Sequence, residues 1–461
     1  MTPVRKLRAA GAAEAGMVLL VVLVILIAVG GSSASFIWSM NQLQTRAGHR
    51  LRSTAALGMA DAGLQRALSI LEGVAPDGSS GRDWRPAGYT ETLSIGALEG
   101  RFTISLSDDP EGAVVVESVG EVSGVTRRVR ARVTLAAPAL LAALYGTGIV
   151  RLDSPPAATV IVPAGPGVGR YPWIHIAAGG GVWFAGTDVA INRVTSPLES
   201  GTGPITVLLP RGVDLTLDRD RQRVDASQLR ALGVPIGEPM RRDAEFFEAP
   251  EVDQIFYQAR AAASIENAAI NEAAGRYLGD GNLMHKRDSV YSLHEFEQLL
   301  AYLASASRWP ATQAPALQGI VYVTGGLWLR NGQSLRIADG ALVVEGLVSL
   351  GPGTRLEVTH SAATRTLPGL IMPDGGRLTL GRNARLRAHG LVHVGQVATI
   401  DEGARLDVEG SVITRAPEQS FRNTAGTALI RYNPVVLGTP GLRVRREGPV
   451  LTWVAKWEEL P

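Results

Sequence analysis

The sequence predicts a mainly β protein behind one long N-terminal transmembrane α-helix, and three observations carry that prediction. The first is the apolar run Met17-Val-Leu-Leu-Val-Val-Leu-Val-Ile-Leu-Ile-Ala-Val29, set in a stretch from Ala15 to Thr45 without Asp, Glu, Lys or Arg. The second is composition. The chain holds 53 Gly among 461 residues and few aromatics. That is well above the usual share of about 7% Gly and favours turn-rich β structure. The third is a set of short β-rich segments that recur at a nearly constant interval in the C-terminal half.

A membrane-spanning helix needs about 20 apolar residues to cross about 30 Å of hydrocarbon. Met17 to Trp38 meets that requirement, with Gly30 and Gly31 near its softer end. The helical pattern then continues. Leu57, Ala60, Leu64, Ala67, Leu68 and Leu71 recur at three- and four-residue spacing, with Asp61, Gln65, Arg66 and Glu72 opposite. One helix from about Val18 to Glu72 is therefore expected, apolar all round first and amphipathic afterwards. At 1.5 Å per residue it would be about 80 Å long.

The residues ahead of the run matter as much. Arg5, Lys6 and Arg8 form a short basic leader, and Gly16 stands directly before Met17. This N-terminus resembles the type IV prepilin family, and Ala55-Ala-Leu-Gly-Met-Ala-Asp-Ala-Gly-Leu-Gln-Arg-Ala-Leu68 is similar to the matching stretch of PilX-type minor pilins. The resemblance implies cleavage by prepilin peptidase between Gly16 and Met17. It also implies anchoring in the inner membrane and packing against other pilins or pseudopilins through the helix. The family usually carries Glu at the fifth mature residue, here Val21, and a buried carboxylate needs a partner to be tolerated. Its absence implies a minor subunit rather than a major, polymerising one. Two other readings of these residues stay open: a Sec signal peptide cut near Ser32-Ser-Ala34, and an uncleaved anchor. Arg46, Arg50 and Arg52 balance the basic leader, so charge does not fix orientation. Long C-terminal domains cross largely regardless of such charges, which places residues 46 onward outside the cytoplasm.

After the leader (1–16) and the helix (17–75), residues 76–137 read as a β-meander. Thr92-Leu-Ser-Ile95, Arg101-Phe-Thr-Ile-Ser-Leu106, Ala113-Val-Val-Val-Glu-Ser118 and Arg127 to Leu135 are its strands, with turns at Asp108-Asp-Pro and Val122-Ser-Gly-Val125. A helix followed by such a meander resembles a pilin globular domain. Arg128, Arg130 and Arg132 give the last strand one basic face, which suits an acidic partner, lipid headgroups or plain solvent.

Short strands then recur between glycines over residues 138–217 and again over 319–437. In the second part, Gly319-Ile-Val-Tyr-Val323, Ala341-Leu-Val-Val344, Gly369-Leu-Ile-Met372, Gly390-Leu-Val-His-Val394 and Gly410-Ser-Val-Ile413 open successive units about 21 residues apart. Such units predict a right-handed β-helix, each coil stacking inward Leu, Val and Ile on the next. This resembles the Gly-rich C-terminal domains that follow PilX-type N-termini. Residues 145–215 and 319–437 are expected to join into one solenoid at Leu217 and Gly319, with Val343 and Leu391 inward. Residues 218–318 form a helical insertion in which Ser292-Leu-His-Glu295 is a capping box. Residues 438–461 supply a closing strand and a tail whose Trp453 and Trp457 cap the solenoid, or bind a surface glycan or protein.

No nucleophile elbow, Walker loop or dinucleotide fingerprint occurs. His389 and His393 would share a strand face but lie about 13 Å apart, too far for one metal. Asp218 and Asp220 are interleaved with Arg219 and Arg221, as in a solvated loop. Asp401, Glu402, Asp407 and Glu409 form the densest acidic set and read as outward decoration. No cofactor or metal is expected, and a net charge of +2 demands no nucleic acid. Cysteine is absent, so stability rests on the core alone. The expectation is a non-enzymatic minor pilin or pseudopilin-like subunit of a type IV pilus or type II secretion system. The alternative is a Sec-exported or anchored carbohydrate-active β-helix.

Overall fold

A computed structural model of the chain describes residues 4–95, 98–109, 113–152, 158–162, 174–184, 206–217, 222–231, 236–243, 247–279, 281–306, 316–443 and 450–460. It is mainly β, with one long N-terminal helix, α1 (Val4–Leu71). The helix begins earlier than the apolar pattern requires, because no Pro occurs between Pro3 and Pro76 and the leader is rich in Ala, the strongest helix former.

Four strands follow as an antiparallel meander: β1 (Tyr89–Ile95), β2 (Leu98–Asp108), β3 (Val114–Val122) and β4 (Val125–Ala136). In β3, residues 114, 116, 118, 120 and 122 are buried and their neighbours half-exposed, the alternation expected of a sheet with one covered face. The β3–β4 hairpin turns at Ser123 and Gly124, whose φ values of 49° and 78° suit a two-residue turn. The outer edge of β4 does not face solvent. The C-terminal strand Leu451–Leu460 pairs with it antiparallel, from Leu451 opposite Ala136 to Leu460 opposite Arg128. This corrects one expectation: the Trp-rich tail completes the antiparallel sheet and is no cap for the repeats.

Among the described residues, the other strands form two long sheets, parallel but for the hairpin from Leu215–Leu217 to Gln222–Val224, and one short antiparallel pair. The repeating units alternate between the long sheets. Ser334–Val344, Arg355–Thr359, Arg385–Val394 and Arg405–Thr414 are neighbours in the larger one. Leu327–Leu329, Val348–Leu350, Leu378–Leu380, Ala398–Ile400 and Gln419–Asn423 are neighbours in the smaller. The register is strict. Leu335, Leu356, Leu386, Leu406 and Ala428 align across five strands, as do Ile337, Val358, Ala388, Val408 and Ile430. All ten are buried, each larger one contributing about 2 kcal/mol of transfer free energy.

Both parts of the repeat region share these sheets, but the seam differs from the expected one. Leu217 does not lead into Gly319. Instead the last units meet the first: Val412–Thr414 pairs with Leu144–Gly146, Gln419–Asn423 with Ile149–Leu152, and Thr427–Arg431 with Ala158–Val162. The chain therefore enters the stack in the middle and builds outward to Met240–Arg242. It returns to the far end at Val290–Ser292 and builds back to the start. Ten strands, those ends included, line up in the larger sheet, so the ends stand about 43 Å apart at about 4.8 Å per step.

The return segment lies along the flank. Tyr145 donates its hydroxyl to Phe247 O, Glu251–Val252 pairs with Leu442–Arg443, and Tyr257 donates to Pro440 O. Two helices follow in the Ala-rich stretch, Gln254–Ala263 and Ala268–Leu278. The break releases Asn267, whose amide donates to Ser289 Oγ at 2.8 Å and Gln318 O at 2.9 Å and accepts from Gln318 N at 2.9 Å. Helix Leu293–Ala306 opens with the expected capping box: Glu295 accepts from Ser292 N at 2.7 Å, and Ser292 Oγ accepts from Glu295 N at 3.3 Å. Helices Gln254–Ala263 and Leu293–Ala306 pack on the first repeat strand, Leu317–Thr324, and on Val290–Ser292, and Ala268–Leu278 packs on Leu293–Ala306.

Val343 and Leu391 are both fully buried, yet not as expected. Val343 aligns with Ile371, His393, Ile413 and Tyr145, and the Tyr145 hydroxyl meets the return segment. Alternation therefore puts Val343 on the covered outer side of the sheet, and Leu391, two residues from His393, on the same side. Sequence periodicity registers burial but does not say which neighbour supplies it.

Candidate functional site

The feature that departs most from an ordinary core is α1. Its first half carries Leu20, Leu23, Ile25, Ile27, Phe36 and Trp38 exposed on every face. It is the one described helix long and apolar enough to cross a membrane. Gly16 and Met17 lie in its helical backbone, and Val21 is 49% exposed among equally apolar neighbours. A valine there adds no charge to the apolar cylinder.

From Ala56 the environment reverses. Ala56, Met59, Ala60, Leu64, Ala67, Ile70 and Leu71 are buried against Phe102, Ile104, Val116, Val129, Ala131 and Val133. The expected amphipathic stripe is thus the docking face. Glycines permit a close approach. A Cβ on Gly120 would stand 2.1 Å from Ala56 O and 2.4 Å from Ala60 N, and one on Gly63 would meet Ser118 Oγ and Phe102. Arg127 donates to Ser53 Oγ at 2.6 Å just beyond the apolar seam. At the other end Glu72 accepts from Thr452 N at 3.1 Å and Thr452 Oγ1 at 2.8 Å, tying the helix to the C-terminal strand. One rigid rod thus joins an unburied apolar half to the antiparallel sheet.

Two of the three arginines in the basic stripe of β4, and Arg127 beside them, are matched by carboxylates, whereas Arg128 is exposed without one among the described residues. Arg130 pairs with Glu117, Arg132 with Asp109 at 3.1 Å, and Arg127 with Glu459 at 3.3 Å. A cleft of about 860 Å³ between this sheet and the return segment is lined by Arg132, Asp253, Arg260 and Arg443. Two of its arginines are paired, Arg443 with Asp253 and Arg132 with Asp109, while Arg260 lies over the Phe256 ring at 4.3 Å.

The two histidines of strand Arg385–Val394 do not share a face. Gly390 has φ 80° and turns the strand. His389 therefore stays half-exposed, 3.9 Å from Glu409, while His393 is fully buried with Nδ1 3.1 Å from Met372 O. Burial pushes the His393 pKa down to about 4. No group of three or more His, Asp or Glu suited to a metal occurs among the described residues. Asp218 and Asp220 lie outside them. In the acidic set, Glu402 pairs with Arg382 at 2.5 Å and Asp407 with Arg431 at 2.9 Å. Trp457 is 48% exposed on the C-terminal strand.

No family model and no curated protein matches the chain. Among solved structures, the competence-associated pilin ComZ from Thermus thermophilus is similar at 12% identity over 89% of this chain and 97% of its own, with a TM-score of 0.24, a value that carries no argument about this chain.

Proposed function

We propose that the chain is a minor pilin or pseudopilin-like subunit of a type IV pilus or type II secretion system. Its helix anchors it in the inner membrane before assembly and then packs among other pilins. The observation that carries this reading is the unbroken α1, apolar and uncovered in one half and seated on an antiparallel meander in the other. An orphan apolar half needs lipid or neighbouring apolar helices, and a filament core supplies the second after a membrane has supplied the first. In this reading the two parallel sheets are faces of one β-solenoid, displayed at the cell surface or filament tip. The divisions at residues 75, 137, 217, 318 and 437 separate anchor, pilin-like block, solenoid parts and insertion. No catalytic role is assigned.

Prepilin peptidase cuts between Gly16 and Met17 in this scheme. Sequencing the N-terminus of the mature protein from its native membrane should begin at Met17. A start near Ser35 overturns the reading in favour of a Sec-exported protein, and an intact leader overturns it in favour of a simple anchor. Val21, lacking the carboxylate that major subunits use, places the chain at low copy. Quantitative mass spectrometry of sheared filaments tests this, and finding the chain as the dominant species contradicts it.

A further inference from the structure

Two columns of charged side chains run side by side on the outer face of the larger parallel sheet, two residues apart. In one, the register aligns Arg336, Glu357, Arg387 and Asp407, so the sign alternates from strand to strand. This column neutralises itself, with Arg387 3.3 Å from Glu357. In the other, the same register aligns Ser334, Arg355, Arg385, Arg405 and Thr427. Three guanidinium groups stand on three adjacent strands, about 4.8 Å apart. All three are exposed. Arg405 reaches Asp407 at 3.6 Å, whereas Arg355 and Arg385 have no carboxylate partner among the described residues.

Like charges placed directly opposite one another across a sheet are destabilising. The neighbouring column shows that this face can alternate sign. An arginine ladder kept unalternated beside it lacks a stabilising role within the chain. The three arginines, with Glu357, Arg387 and Asp407, line a shallow depression of about 210 Å³.

We propose that this ladder binds an acidic polysaccharide laid along the stacking direction, with successive carboxylates on Arg355, Arg385 and Arg405. A guanidinium grips a carboxylate with two parallel hydrogen bonds, and the strand spacing is close to the length of one sugar residue. Ser334 and Thr427, at the two ends of the column, offer hydroxyls to sugar oxygens. Glu357 and Asp407 alongside disfavour a densely charged phosphate backbone and can accept from sugar hydroxyls. The column has no aromatic platform, which single-stranded nucleic acid sites combine with their basic groove. The site lies on the outer face of the repeats and does not depend on how the chain is anchored or assembled.

The test uses the full chain in detergent, with polygalacturonate, neutral dextran and a poly(dT) oligonucleotide as probes. Polygalacturonate should bind with an affinity that falls as salt rises, and dextran should not bind. The Arg355→Ser, Arg385→Ser double variant should lose at least tenfold in affinity while its thermal midpoint stays level or rises, since it relieves repulsion. Unchanged binding in the double variant overturns the proposal. So does equal binding of dextran, or tighter binding of poly(dT) than of polygalacturonate.

Discussion

In the antiparallel block, β2, β3 and β4 lean on one helix, whereas in the parallel sheets each strand leans on the strands before and after it. The block gathers the two ends of the chain, α1 and Leu451–Leu460, around a single core. The sheets add one layer at a time, and each layer buries its Leu, Val and Ile against the next. The contrast teaches where damage should spread. A stack stabilised by nearest-neighbour interfaces opens locally, while a block organised by one helix should lose its order as a unit.

The largest expected effect tests the stack. Val343→Asp places an unpaired carboxylate at a fully buried position and should cost on the order of 4 kcal/mol. Hydrogen exchange should rise in the strands around Ser334–Val344 and stay low in β1 to β4. Loss of protection in both regions at once would show that the stack and the block unfold together.

Gly120→Val tests the block. Its side chain would drive into the backbone of α1 at Ala56 and Ala60, and overpacking of this kind costs about 3 kcal/mol. Exchange should then rise across β2, β3 and β4 together, with the repeats unaffected. A rise confined to residues 118–122 would show that the helix is not the organising element.

A pH titration separates the regions by another route. His393, buried in the parallel sheets, has its pKa depressed from about 6.5 to about 4 by desolvation. Above pH about 6.5 it is neutral folded and unfolded, so its environment adds no pH dependence. As pH falls from about 6.5 to about 4, the unfolded chain takes up a proton that the folded chain refuses, and stability is lost progressively, by about 3 kcal/mol in full. Chemical denaturation at a series of pH values should show this limb, and His393→Asn should reduce it, leaving the share of His175, whose pKa burial likewise depresses to about 4. An unchanged acid limb would mean that another group carries it.

The smallest effect is Arg385→Asp on the exposed column. It should shift stability by no more than about 0.5 kcal/mol, as surface changes usually do. A large loss in thermal midpoint would show the arginine ladder to be structural.

The long helix, the meander, the capping box at Ser292 and the strand-by-strand repeat were legible in sequence, because each rests on local periodicity or spacing. The apolar run around Val21 needed only hydropathy, and Leu356, Leu386 and Leu406 needed only a count of residues between glycines. Strand parity failed at Gly390, where a positive φ turns the strand and sends His389 and His393 into different surroundings.

Tertiary structure alone decided the rest. Which edge Leu451–Leu460 completes, which layer Val412–Thr414 meets, and what covers Val343 are choices between surfaces that are equally apolar in sequence. Hydrophobic burial is non-directional. It makes certain that such edges and faces will be covered, and leaves the partner to chain length, backbone register and shape.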